Sequence, residues 1–109
     1  MKAKKSGYIF NIASIAGLQA YPNGGSYGIS KFAMIGMGKA LRQELLNFNI
    51  KVSNVMPGAV YTASWEGVDL PEERFIKADD IASLIFNAYS LSDSCVVEDI
   101  VVRPQLGDI

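Results

Sequence analysis

Apolar residues gather in three short runs, at Tyr8–Ala13, at Lys51–Met56 and within Val96–Arg103. Each run reads as a strand, and the first is apolar on both faces, as buried parallel strands are. Pro57-Gly58 ends the second run and Pro104 the third. From Gly17 to Ser26 the breakers Pro22, Asn23, Gly24 and Gly25 predict a loop. A helix is expected from Ser26 to Asn47, with Phe32, Ile35, Leu41 and Leu45 as core positions. Another side of it is small or apolar, with Gly28, Ala33, Gly36, Met37 and Ala40. Glycine costs a helix about 1 kcal/mol against alanine, so this side implies close contact with the sheet or with a partner helix. Tyr61–Lys77 is mixed, with a short helical turn near Pro71–Phe75. Asp79 or Asp80 suits the positive end of a second helix running to Ser90. Its apolar stripe is Ile81, Ala82, Leu84, Ile85, Ala88 and Tyr89. Strand–helix–strand–helix–strand predicts an α/β fold with a parallel sheet and right-handed crossovers.

Composition narrows the function. The chain has 109 residues, half of them apolar, and a formal charge of −1. Residues 1–109 make one domain at most. No basic excess points to nucleic acid, and no apolar run reaches the ~18 residues that span a membrane. Histidine is absent, which excludes a Ser-His pair within the chain and argues against a metal site. Cys95 is the one cysteine, so no internal disulfide forms; this fits a reducing cytoplasm. Lys2, Lys4 and Lys5 before the apolar run Tyr8–Leu18 imitate a secretory leader, with Ala20 as its cleavage site. Asn11 and Ser14 interrupt that run, and Leu18 is too large for the position it would hold. A buried strand entered from a basic loop is the better reading.

The chemistry centres on Tyr27 and Lys31, four apart on one helix face, with Ser14 thirteen residues upstream. A phenol near pKa 10 is a poor acid or base at neutral pH. An adjacent ammonium favours the phenolate and lowers that pKa. A serine hydroxyl at the end of a strand can hold the oxygen that gains or loses the proton. The chemistry this suits is carbonyl–alcohol interconversion. The bland alternatives are a half-buried ring beside a solvated lysine, and a serine capping its loop.

Three motifs in order carry a family resemblance. They are Gly7-Tyr8-Ile9-Phe10-Asn11-Ile12-Ala13-Ser14-Ile15-Ala16-Gly17, then Tyr27-Gly28-Ile29-Ser30-Lys31, then Asn54-Val55-Met56-Pro57-Gly58-Ala59-Val60-Tyr61-Thr62. Together they resemble the short-chain dehydrogenase/reductase family, from about Ser6 to Pro104. The resemblance implies a partial Rossmann-like, doubly wound parallel sheet and hydride transfer with NAD or NADP. It implies Tyr27 as general acid/base, Lys31 on the nicotinamide ribose, and Ser14 at the substrate oxygen. Tyr27, Lys31, Pro57, Gly58, Val60 and Thr62 would meet the cofactor, with glycine allowing close approach. A plain strand-ending turn is the other reading of that loop. Gln19, Ala59 and Trp65 are substrate-side candidates, Trp65 equally as a hydrophobic plug. Asn11 is expected to fix backbone in the loops.

The family's glycine-rich phosphate turn has no counterpart here. Gly36-Met37-Gly38 falls mid-helix, and Gly24-Gly25 reads as turn chemistry. The chain therefore resembles the C-terminal half of such an enzyme, inactive alone and binding no cofactor by itself. Met1 would be an internal methionine, a misread start or a fragment edge. The expected partners are a small carbonyl or alcohol substrate, the N-terminal half, and a second copy of the chain. Family members commonly pair through the Ser26–Asn47 helix, and Tyr8–Ser14 would be an open sheet edge. The non-enzymatic alternative is a truncated remnant acting as a self-associating module.

Overall fold

Strand β1 is Gly7–Ile12, β2 is Ile50–Pro57 and β3 is Asp99–Val102; helix α1 is Gly25–Leu45 and α2 is Ala78–Tyr89. The structure is a computed structural model and describes residues 1–65 and 67–109. The strands form one parallel sheet in the order β1-β2-β3. Gly7 stands opposite Ile50 and Ile12 opposite Val55; Asn54 stands opposite Asp99 and Pro57 opposite Val102. This is the expected α/β Rossmann-like architecture.

Alternate residues of β2 face opposite sides. Ile50 and Val52 pack with Leu45, Leu41, Phe48 and Ile9, and Met56 packs with Ile35 and Ala13, so this face is covered by α1. Between these clusters lies a polar seam. Asn11 and Asn54 are opposite each other in the register. Asn11 Nδ2 donates to the Met34 carbonyl at 2.7 Å and to Asn54 Oδ1 at 2.9 Å. Asn54 Nδ2 reaches the Ile35 carbonyl at 3.5 Å. Gly38 lies directly on the pair, where a Cβ would stand 1.9 Å from Asn54 Oδ1. Asn11 therefore holds α1 against the sheet, not the loops as the sequence suggested.

The rotation of α1 differs from expectation in one respect. Ile35, Gly38 and Leu45 are buried and Leu41 is half-buried, whereas Phe32 is 47% exposed. The sheet-facing line follows three- and four-residue steps through Ile35, Gly38, Leu41 and Leu45, and Phe32 lies off it. Ala33, Gly36, Met37 and Ala40 are exposed.

The other face of β2 carries Ser53 and Val55, both fully buried. Ser53 hydrogen-bonds the Tyr8 hydroxyl at 2.6 Å and also donates to the Val97 carbonyl. Tyr8 stacks on Phe10 with ring centroids 4.2 Å apart, and Tyr89 lies 6.1 Å from Tyr8. Lys51, on this face, donates to the Ser92 carbonyl at 2.8 Å. So α2 runs on the side opposite α1. Both crossovers step the same way along the sheet, and helices on opposite faces make them opposite in hand. One of the two thus departs from the right-handed expectation. Of the α2 stripe only Ala88 is buried, while Leu84 and Tyr89 are exposed. Among the described residues no helix is long and apolar enough to cross a membrane.

Candidate functional site

Ser14 follows β1 in extended conformation and caps the short helical turn Ile15–Gly17, its Oγ accepting from the Ala16 amide at 3.1 Å. Gly17 presses that turn onto α1, since a Cβ there would lie 2.6 Å from the Lys31 carbonyl oxygen. Ser14 is thereby fixed beside the first turns of α1, where Tyr27 and Lys31 project. Tyr27 is 57% exposed. Lys31 is half-buried, with Nζ 5.3 Å from the Tyr27 ring centroid and 3.7 Å from Met34 Sδ. The ammonium thus lies over the ring face.

Ser14 and Tyr27 line one cavity of about 710 Å³. Gly58, Ala59, Val60 and Thr62, from the loop after β2, line it as well, and so does Trp65. Lys31, Pro57 and Gln19 are not among its lining residues; Lys31 and Pro57 are half-buried and Gln19 is exposed. The Gly58 amide donates to the Val102 carbonyl at 2.7 Å. A Cβ on Gly58 would lie 3.2 Å from Pro104 Cδ and 3.4 Å from Ile15 Cδ1, a tight fit that a larger residue would enter only if Pro104 shifted by a few tenths of an ångström.

Val60 and Ile76 form a parallel bridge. Its bonds run from the Tyr61 amide to the Ile76 carbonyl and from the Ile76 amide to the Ala59 carbonyl, each 2.9 Å. Val60's own amide is left outside the bridge. Phe75 and Ile76 are buried, and Phe75 packs against Tyr61 and Trp65 at centroid distances of 5.4 and 5.2 Å. Trp65 is thus both a plug on Phe75 and part of the cavity wall. The adjacent apolar pair Phe75-Ile76 was the available sequence signal for this small core.

Tyr21, Asp108 and Ile109 also line the cavity. Tyr21 and Asp108 are 87 residues apart, and no local pattern joins them. Burial, and then the hydrogen bond to the Asp108 carboxylate, push the Tyr21 pKa above its usual 10.0.

Residues 1–73 match the profile of the family described as short chain dehydrogenase. The chain belongs to that family. All candidate residues from Ser14 to Trp65 fall inside the matched span. The chain is 36% identical to a sepiapterin reductase from Chlorobaculum tepidum, over all of this chain and 45% of that protein. It is 31% identical to an uncharacterized oxidoreductase from Staphylococcus epidermidis, covering 93% of this chain and 44% of the relative. Among solved structures, a β-ketoacyl-[ACP] reductase from Bacteroides thetaiotaomicron superposes with a TM-score of 0.81 at 35% identity, over 97% of this chain and 44% of that one. A metagenomic short-chain oxidoreductase in complex with NADP gives a TM-score of 0.74 at 29% identity, over 96% and 41% of the two chains. This short-chain dehydrogenase chain therefore spans under half the length of the relatives it matches.

Proposed function

We propose that this chain is the catalytic half of an NAD(P)-dependent oxidoreductase that interconverts a carbonyl and a secondary alcohol. One observation carries the reading: Ser14, Tyr27 and the Gly58–Thr62 loop open on one cavity, with the Lys31 ammonium over the Tyr27 ring. The cavity volume lies in the range of small-molecule sites. The donor set fits the nicotinamide end of a dinucleotide: Lys31 for ribose hydroxyls, the Val60 amide left free by its bridge for the carboxamide, and Thr62 beside it. Solved relatives in complex with NADP and with NADH support this class of cofactor. When bound, the dinucleotide supplies or accepts the hydride.

Tyr27 gives its phenolic proton to the carbonyl oxygen during reduction and takes it back during oxidation. Ser14 holds that oxygen in place, its hydroxyl oriented by the Ala16 amide. Pro57 and Gly58 shape the turn that would meet the nicotinamide. Ala59 and Trp65 face the substrate, and Gln19 has no part in this cavity. Catalysis needs the complete protein, since no glycine-rich phosphate turn lies in this chain. The exposed thiol of Cys95 suits a reducing cytoplasm.

The complete protein carrying this chain should oxidise NADH or NADPH with small ketones, while the 109-residue chain alone should not. Failure of the complete protein on every carbonyl, despite cofactor binding, would overturn the reading. The exposed α1 residues Ile29 and Met37 favour a second reading, a self-associating module without catalysis. Association without cofactor binding would select it. In either case α1 is the proposed contact between copies.

A further inference from the structure

We propose that Asp108 is a latch that fixes residues 104–109 as a wall of the cavity and so limits the length of substrate that reaches Tyr27. This rests on the oxidoreductase reading above. The Asp108 carboxylate bridges two elements: Oδ2 accepts from the Tyr21 hydroxyl at 2.6 Å, and Oδ1 from Arg103 Nε at 3.2 Å. Arg74 clamps the same backbone, donating to the Gly107 carbonyl at 2.9 Å and the Asp108 carbonyl at 3.2 Å. The segment reaches this position by a tight turn. The Gly107 amide donates to the Pro104 carbonyl at 2.9 Å, and Gly107 has φ +94°, which favours glycine. Pro104, at the base, is buried against Gly58.

Each of these polar contacts is weak alone in an exposed setting. Their convergence on Gly107 and Asp108, from the loop before α1, the turn before α2 and the end of β3, gives the segment one position. Both carboxylate oxygens are engaged within the protein, so Asp108 acts by placing the wall and not by binding substrate. Tyr21 remains a hydroxyl donor well above neutral pH, which keeps the latch closed across the physiological range. Asp108 and Ile109 line the cavity together with Ser14 and Tyr27. Their release would open the cavity past its present end.

The test uses the complete protein with Asp108→Ala and, as the milder change, Tyr21→Phe. Deuterium uptake of the peptide spanning 104–109 should rise in both variants. Across a series of methyl ketones of increasing chain length, KM for the long members should fall by about tenfold relative to the short ones, with kcat for the short ones kept. Loss of kcat for all members alike would mark a merely structural role and overturn the proposal. An unchanged length profile, or unchanged uptake in Tyr21→Phe, would overturn it too. If the unmodified protein reduces no carbonyl, the oxidoreductase reading has failed, and uptake alone then decides whether the latch exists.

Discussion

Tyr27→Phe removes one oxygen from an exposed ring, and among the described residues that oxygen has no hydrogen-bond partner. Folding should be untouched. In the complete protein, loss of the proton donor should cut turnover by roughly 10²–10⁴, with cofactor affinity nearly unchanged. Single-turnover hydride transfer and a cofactor titration read the two quantities separately. Full turnover by the variant would refute the acid/base role. Ser14→Ala differs, because its hydroxyl also caps the turn Ile15–Gly17. Losing a cap costs about 1 kcal/mol, so Ser14→Ala should lower both turnover and melting temperature. A fall in turnover alone would mean that the cap contributes nothing. The cap is thus a role the structure shows for this side chain, and the chemical role is the one the turnover measurement tests.

At the scale of the elements, Gly36-Met37-Gly38 offers a direct comparison. Gly38 is buried on Asn54, and a Cβ would collide with Oδ1 at 1.9 Å. Gly38→Ala must push α1 away from the sheet or break the Asn11–Asn54 pair, and should cost about 1–3 kcal/mol. A Cβ on Gly36 meets no described residue within 4 Å, and Gly36→Ala, read at a protein concentration low enough to keep copies apart, should gain up to about 1 kcal/mol from helix propensity. Denaturant unfolding of the two variants in the complete protein checks the opposite signs; equal effects would mean that the helix is rotated differently. The strands were legible as short continuous apolar runs, two of them ended by Pro57-Gly58 and Pro104, and the helices as longer stretches with apolar residues at three- and four-residue steps. Ser14, Tyr27, Lys31 and the Pro57–Thr62 loop were legible because each motif is local. The facing of α1 was less so: Phe32 is as apolar as Ile35, and only the seam at Gly38 shows which lies inward. Phe75 and Ile76 were hidden in a polar stretch because two apolar residues have no period. The Tyr21–Asp108 contact was not legible at all, since it depends on where two distant loops meet.

The whole molecule exposes more apolar surface along α1 than a solvated helix needs. Ile29 is 73% exposed, and Phe32, Ala33, Gly36, Met37 and Ala40 share the outward side. The sequence alone left this side to either the sheet or a partner helix; the sheet is taken by Ile35, Gly38 and Leu45. What remains has the small, apolar character that lets two helices approach closely. Contiguous exposed apolar surface of this kind marks interaction sites. The proposed occupant is α1 of a second copy, related by a two-fold axis, the commonest arrangement of homo-oligomers. Gly36→Leu tests it cleanly. A Cβ there meets no described residue within 4 Å, so the fold should survive, while a closely packed partner helix should be driven off. The complete protein should run as a dimer by light scattering at micromolar concentration, and the Gly36→Leu variant as a folded monomer with an unchanged circular dichroism spectrum. A monodisperse monomer before substitution, or a dimer indifferent to Gly36→Leu and to Met37→Glu, would remove α1 from the interface.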